Sequence, residues 1–208
     1  MSGWYLWGQT HDEGKTLYQL ITVAQQRKMP WKNGKGSTAE IVIAPAGSSL
    51  AKLDFDYRLS TAPIKEAGPF SPFPGYARIL LPVSGAGFVL NGHPYATFEA
   101  AHFSGDDETH CALLKKEVTD LGLIYDATKL DANVRVLTLP FSVPLTLESA
   151  HTYLVTLLEG SLKVAEHDLA KGDTLLVSAQ ESIMLECSKK ATIAFFTLRQ
   201  LTTADTRQ

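Results

Sequence analysis

The feature that most constrains this chain is its punctuation. Short runs of β-forming residues recur at near-regular spacing, and several end at a glycine turn. In the first half the runs are Ala39–Ala44, Phe55–Ser60, Ala77–Val83, Phe88–Asn91, Ala96–His102 and Thr109–Leu114. Ser84-Gly85, Asn91-Gly92 and Ser104-Gly105 separate several of them. Asn-Gly suits both left-handed positions of a type I′ hairpin. The second half repeats the style with Val134–Leu139, Thr152–Leu158, Ser161–Glu166, Thr174–Ser178, Ser182–Cys187 and Ala191–Leu198. Residues 15–25 are also rich in β-formers, and a loop is expected from Met29 to Ser37. Short helices fit only near Ala127–Ala132 and Leu147–Ala150, and no long amphipathic run is present. The pattern predicts an all-β sandwich or barrel.

A weak internal repeat refines this. The stretch from Arg78 to Asp107 precedes a similar one, Tyr153 to Ser182, by about 75 positions, measured from Gly85 to Gly160. Both read strand, Gly turn, strand, short turn, extended stretch, Gly turn. The second copy resembles the cupin barrel in texture, a double-stranded β-helix or jelly roll that uses hairpins to close its edges. Two such halves predict a bicupin. The boundary falls within Leu121–Val134, giving an N-terminal barrel over 1–125 and a smaller C-terminal barrel over 126–208.

Composition excludes several functions. The chain has 208 residues, enough for one large or two small domains with a self-sufficient core. Its 22 acidic and 19 basic residues give a net charge of −3, which argues against nucleic acid as a partner. Cys111 and Cys187 are the only cysteines, so no disulfide framework is implied. Met1–Lys15 shows neither a basic n-region nor an apolar h-region, and a cytoplasmic location is expected. The longest uncharged stretch, Ile79–Phe98, is broken by Pro82, Gly85, Gly87, Gly92 and Pro94, so no membrane association is expected.

A metal-binding barrel needs three or four nitrogen and oxygen ligands converging on one point. None of the six histidines forms a His-x-His pair. The strands after the two glycine turns read Gly85-Ala86-Gly87-Phe88-Val89 and Gly160-Ser161-Leu162-Lys163-Val164, with no ligand among them. His102 and His110 beside Asp106, Asp107 and Glu108 are the residual option, and solvated loop groups are the plainer reading. No metal and no cofactor are expected.

Four motifs stand out: Met29-Pro30-Trp31-Lys32-Asn33-Gly34 with Gly36 to Ile41, Phe55-Asp56-Tyr57-Arg58-Leu59-Ser60, Gly68-Pro69-Phe70-Ser71-Pro72-Phe73-Pro74-Gly75-Tyr76-Ala77-Arg78, and Phe103-Ser104-Gly105-Asp106. Together and in this order they resemble the HutD/Ves family of bicupin proteins over about residues 15–125. The resemblance implies a non-catalytic protein that senses or sequesters a small acidic intermediate of histidine breakdown. The chain departs from the family pattern at Lys35, Ala39 and Ala77, and at Asp120-Leu121-Gly122, where an Asp-Phe-Asn stretch is usual.

The candidate ligand-binding residues are Trp31, Lys32, Asn33, Glu40, Arg58, Ser60, Phe73, Arg78 and Asp106. Alternation puts Phe55, Tyr57 and Leu59 on one face and Asp56, Arg58 and Ser60 on the other. Arg58 then either lines the barrel mouth as a bidentate carboxylate partner or forms a surface ion pair with Asp56 or Glu40. Arg78 is either a second clamp or a structural tie to Asp106 or Asp54. Trp31, Lys32 and Asn33 form either a lid or a self-contained loop. Phe70, Phe73 and Tyr76 line a pocket or fill core, and Asp106 is placed to orient Arg58 or Arg78. Cys111 shares its strand face with Leu113 and reads as a buried, inert thiol.

The leading reading is non-catalytic binding of a small anionic metabolite, with no catalytic residue assigned and homodimerisation left open. One alternative is a metal-free isomerase or hydrolase with Glu40 or Asp106 as base and Arg58 as anion anchor. Another is a protein-interaction module.

Overall fold

The computed structural model describes residues 17–31, 36–148, 150–178 and 182–202. Among them the chain is all-β, and its one helical element is a three-residue 3₁₀ turn at Val23–Gln25. No described helix is long and apolar enough to cross a membrane. In chain order the strands are β1 (Leu17–Ile21), β2 (Arg27–Pro30), β3 (Ser37–Ala44), β4 (Tyr57–Ile64), β5 (Gly68–Pro69), β6 (Tyr76–Pro82), β7 (Phe88–Leu90), β8 (His93–Tyr95), β9 (Ala101–Ser104) and β10 (His110–Leu113). They continue with β11 (Val118–Asp126), β12 (Leu130–Leu139), β13 (Val143–Thr146), β14 (His151–Glu159), β15 (Leu162–Val164), β16 (His167–Leu169), β17 (Thr174–Ser178), β18 (Ser182–Glu186) and β19 (Ala191–Gln200).

The chain divides into two compact units. The motif-bearing unit holds Ala24–Val134 and the segment beginning at Gln200. The C-terminal unit holds Arg135–Arg199 and the segment ending at Val23. This division differs from a cut at 125/126 in two places. Strand β1 pairs antiparallel with β17, so a segment from the start of the chain completes the C-terminal unit. Residues 126–134 stay with the motif-bearing unit, and β12 runs across the division. Strand pairing is non-local, so sequence adjacency does not decide membership.

The motif-bearing unit has a six-stranded sheet, β2-β3-β4-β11-β6-β9, and a four-stranded sheet, β5-β10-β7-β8. The C-terminal unit has a five-stranded sheet, β1-β17-β14-β19-β12, and a four-stranded sheet, β13-β18-β15-β16. Adding eight to each label of β4-β11-β6-β9 and β5-β10-β7-β8 reproduces the order in the other unit. The weak sequence repeat is therefore a repeat of topology over eight strands, with β2 and β3 in one unit and β1 in the other lying outside it.

The hairpins follow their turn chemistry. Asn91 and Gly92 have φ of 47° and 87°, and they join β7 to β8 with Leu90 opposite His93. Gly85 and Gly160 occupy equivalent turns with φ of 77° and 86°. A Cβ on Gly160 would lie 2.3 Å from the Lys190 carbonyl oxygen, and one on Gly85 would lie 2.7 Å from that of Glu117. Both carbonyls immediately precede the strand that returns to the sheet centre. Gly160→Ala is therefore expected to lose about 2 kcal/mol, from left-handed strain plus backbone crowding. Urea unfolding of the variant measures it, and an unchanged midpoint would show that the turn yields.

Three expectations need correction. The stretch Ala96–His102 is not one strand: residues 96–100 form the turn between β8 and β9, and only Ala101 and His102 belong to β9. The region given to the inter-domain boundary, with a short helix at Ala127–Ala132, is instead β11, a turn and the start of β12. Leu147–Ala150 likewise shows no helix among its described residues.

Candidate functional site

The site is built on β4, β11 and β6, neighbours at the centre of the six-stranded sheet. Arg58 and Arg78 both lie opposite Ile124, one from each side. With strands ~4.8 Å apart, their Cα atoms are separated by roughly 10 Å. One pleat along, Ser60 and Leu80 flank Gly122, and one further, Ala62 and Pro82 flank Asp120. Period-two alternation puts all nine positions on one face. That face also carries Ile64, Leu80, Ala101 and Val118, which pack on Phe88, Leu90 and Cys111 of the four-stranded sheet. The polar groups therefore point between the sheets, into the unit's interior.

The expected alternation of Leu59 against Arg58 and Ser60 holds, but neither face is exposed. Leu59 is 0% exposed, Arg58 3%, Ser60 8%, Glu40 6% and Asp120 9%. The surface reading of Arg58 is thus overturned, although its named partner is correct. Arg58 Nε donates to Glu40 Oε2 at 2.8 Å, and Nη1 donates to Ser60 Oγ at 3.0 Å. A bulge in β3 between Glu40 and Val42 aims the Glu40 carboxylate at this guanidinium. Exposed Arg27 lies 3.8 Å from the other Glu40 oxygen. The remaining nitrogen, Arg58 Nη2, is buried with no hydrogen-bond partner among the described residues.

Arg78 sits in an aromatic cage. Its guanidinium carbon is 5.3 Å from the Phe70 ring centre, 5.1 Å from Phe73 and 4.8 Å from Phe103. Such contacts contribute about 0.5–2 kcal/mol each, the larger values where water is excluded. Nη1 donates to the Ser71 carbonyl oxygen at 3.2 Å. The expected tie to Asp106 or Asp54 is not made. Burial lowers the Arg78 pKa to about 10, against the opposing charge of Asp120.

Asp120 was not among the residues singled out from sequence. Its Oδ1 accepts from the Ala62 backbone N–H at 3.0 Å. Burial raises its pKa to about 7, opposed by the Ala62 N–H and by the charges of Arg78 and Arg58. The signal was present: an Asp inside the apolar run Val118-Thr119-Asp120-Leu121-Gly122-Leu123-Ile124. Cys111, 1% exposed, is pushed up to about 11 by burial and then by the Asp120 charge, which fits the inert-thiol reading.

The other candidates do not join this group in the same way. Phe73 contributes through its ring under Arg78 and packs beside Phe55, Tyr76 and Ile124. Trp31 is fastened to its own hairpin: its backbone N–H donates to Gly36 O and its Nε1 to Thr38 Oγ1, both at 2.9 Å. Its ring fills the space a Cβ on Gly36 would need. Lys32 and Asn33 lie outside the described residues. Asp106 is exposed and orients neither arginine; it accepts from the Gly75 N–H and Ser104 Oγ, holding two loops together. A cleft of about 380 Å³ in this unit is lined by Gly75, Tyr76, Arg78, His102, Phe103 and Asp106, among others, and Arg58 is not part of it. Among the described residues no group of three or more His, Cys, Asp or Glu could hold a metal ion.

The repeat shows how differently the two interiors are used. Register equates the pairs Arg78–Ile124, Leu80–Gly122 and Pro82–Asp120 with Tyr153–Thr197, Val155–Phe195 and Leu157–Ile193. Tyr153 thus replaces Arg78, Phe195 replaces Gly122 and Ile193 replaces Asp120. Tyr153, Phe195 and Ile193 all belong to one apolar core. The interior that holds charged groups in one unit is filled with hydrocarbon at the same positions in the other.

Comparison with known proteins places this arrangement. An uncharacterised 21.2 kDa protein in the hutC 3′ region of Pseudomonas putida is 40% identical over 112 residues, 51% of this chain and 57% of that one. Protein Ves of Citrobacter koseri is 34% identical over 119 residues, 53% of this chain and 60% of that one. The match thus spans less than two thirds of either relative's length. The structure of HutD from Pseudomonas fluorescens SBW25 superposes with a TM-score of 0.73 at 30% identity, covering 89% of this chain and 100% of that one. Two distant structures share the fold alone. They are the bacterial pirin YhhW of Escherichia coli (TM-score 0.66, 8% identity, 88% and 100% coverage) and a cupin 2 conserved barrel domain protein of Leptotrichia buccalis (TM-score 0.51, 11% identity, 82% and 92% coverage). The HutD family model matches residues 23–195, and a match of that extent shows that the chain belongs to the HutD family.

Proposed function

We propose that the two units are cupin barrels forming a bicupin, and that the interior of the motif-bearing barrel binds a small carboxylate-bearing metabolite. The observation that carries this reading is Arg58 Nη2. A guanidinium nitrogen at a residue 3% exposed, with no partner among the described residues, costs free energy unless something accepts from it. The other two nitrogens are already fixed by Glu40 and Ser60, so the free N–H groups are held in one direction. Such preorganised donors suit a carboxylate oxygen. Names of relatives tied to a hut locus support an acid from histidine breakdown as the ligand. The role is sensing or sequestration rather than turnover.

A thermal-shift screen of formate, acetate and imidazole-bearing acids tests this. At a hundredfold excess over Kd, binding is expected to raise Tm by about 5 °C or more. No shift with any acid would sink the reading. The enzymatic alternative, with Glu40 or Asp106 as base, can also draw on Asp120, a buried carboxylate whose pKa burial raises to about 7.

A further inference from the structure

We propose that the open edge of β9 in the motif-bearing unit receives an extended peptide of a partner protein as an added strand, with a tyrosine seated beside Phe103. The repeat supplies the template. In the C-terminal unit β17 pairs with β14 on one side and with β1 on the other, Tyr18 standing opposite Val177 and Gln19 opposite Leu176. Because Tyr153 matches Arg78, Val177 matches Phe103 and Leu176 matches His102. The six-stranded sheet ends at β9, so among the described residues no strand takes the place that β1 has beside β17. Gly105 N–H donates to the Tyr76 carbonyl oxygen, which turns the backbone groups of residues 101, 103 and 105 toward β6. Alternation then turns His102 N–H and C=O, and Ser104 N–H, to the open side. His102 is exposed there. Such a row of main-chain groups is a template for another strand.

Two cavities flank this edge, one for each side of an alternating strand. On the face opposite Arg78, Ala77, Ser104, His102 and Tyr125 line the cleft of about 380 Å³. On the face shared with Arg78, Phe103, Leu90 and Tyr95 line a smaller cavity of about 120 Å³, together with Asp107 and Thr109. The template puts an aromatic side chain in that smaller space. Matching two-residue turns equate Leu90 and His93 with Val164 and His167. Tyr18 packs on the apolar core of the C-terminal unit with its ring 5.3 Å from that of His167, and its hydroxyl bonds to Glu166. A tyrosine placed likewise on β9 enters between Phe103 and the Leu90 end of the β7–β8 hairpin, where Asp107 can accept from its hydroxyl. Its two neighbours, opposite Ser104 and His102, point into the larger cleft. The occupant is a peptide because the donors and acceptor between the two cavities are main-chain groups at strand spacing, and alternate side chains then find a pocket on each side.

Fluorescence anisotropy on the full chain tests this with a labelled, end-capped peptide of residues 15–22, whose β1 portion already pairs with the equivalent edge. Saturable binding is expected below about 1 mM. A Tyr18→Ala form of the peptide, and a form N-methylated at Gln19, are each expected to bind about tenfold more weakly or worse. In the protein, His102→Pro removes the outward N–H and leaves the bonds to β6, since an edge strand tolerates proline where its N–H faces solvent. It is expected to lose the peptide about tenfold while Tm stays within about 3 °C of the wild type. Asp107→Lys, at an exposed position, is expected to weaken the tyrosine peptide and not the alanine form. Failure of the peptide to bind over that range would overturn the proposal, as would binding indifferent to both Tyr18→Ala and the N-methyl group. Undiminished binding to His102→Pro would put the peptide on β17 in exchange for β1 and would overturn it too.

Discussion

Arg58→Ala is expected to destabilise the motif-bearing unit by about 3–5 kcal/mol and to abolish the response to small acids. The two losses have different origins. Arg58 and Glu40 are both buried, at 2.8 Å, and removing the guanidinium leaves the Glu40 carboxylate uncompensated in a low-dielectric interior. Exposed Arg27, 3.8 Å away, cannot make up that loss. Ser60 Oγ also loses its donor. The binding loss arises from Nη2. A double variant separates the two. Arg58→Met with Glu40→Leu removes both charges, so most of the stability should return, because breaking half of a buried pair costs more than replacing the whole. Acid binding should not return. Chemical denaturation reports the first effect and thermal shift the second. A double variant that still responds to carboxylates would exclude Arg58 as their anchor.

Asp120→Asn is expected to be more stable than the wild type above neutral pH, by up to ~4 kcal/mol, with the gap closing in acid. The folded pKa of Asp120 is raised from 3.8 to about 7, first by burial. Between those values the folded state binds more protons than the unfolded state. Stability contributed at this position therefore falls as pH rises through the window, and the full cost stands above it. Asparagine does not ionise and escapes the cost. Two groups facing Asp120 do not share its window: Arg78 on β6 is lowered only to about 10, and Cys111 on β10 is pushed up to about 11. Melting temperatures of the two proteins from pH 4 to pH 8.5 measure the effect. Parallel curves would mean that Asp120 keeps an ordinary carboxylate pKa. A buried acid that costs stability at neutral pH is what a site retained for function looks like.

Much of the fold was legible because local chemistry and global topology agree. Asn91-Gly92 demanded a hairpin and made one. Gly85 and Gly160 marked equivalent turns, and the topological repeat follows the same spacing. The site was legible in part. Arg58, Glu40 and Ser60 were named and lie together. Arg78 and Phe73 were named, but their mutual stacking was not foreseen. Strand β11 was missed for a specific reason: Asp120 and Gly122 are strand-disfavoured residues, and they made a central strand read as a boundary. Asp120, which breaks the local rule, is buried on the same face as Arg58.

By itself, the sequence determined the class of fold, the hairpin positions, the internal repeat and the family, because these rest on turn stereochemistry and short-range periodicity. Tertiary structure alone decided that β1 completes the unit far from it in sequence, since strand pairing is non-local. It also decided that Arg58 faces inward and that one of its nitrogens has no partner among the described residues. It decided, finally, that Asp120 shares a buried face with Arg58, where the other unit carries Ile193 in place of the acid. Periodicity reports only that a side chain lies on one face or the other. Which face is enclosed, and what meets it there, depends on the second sheet.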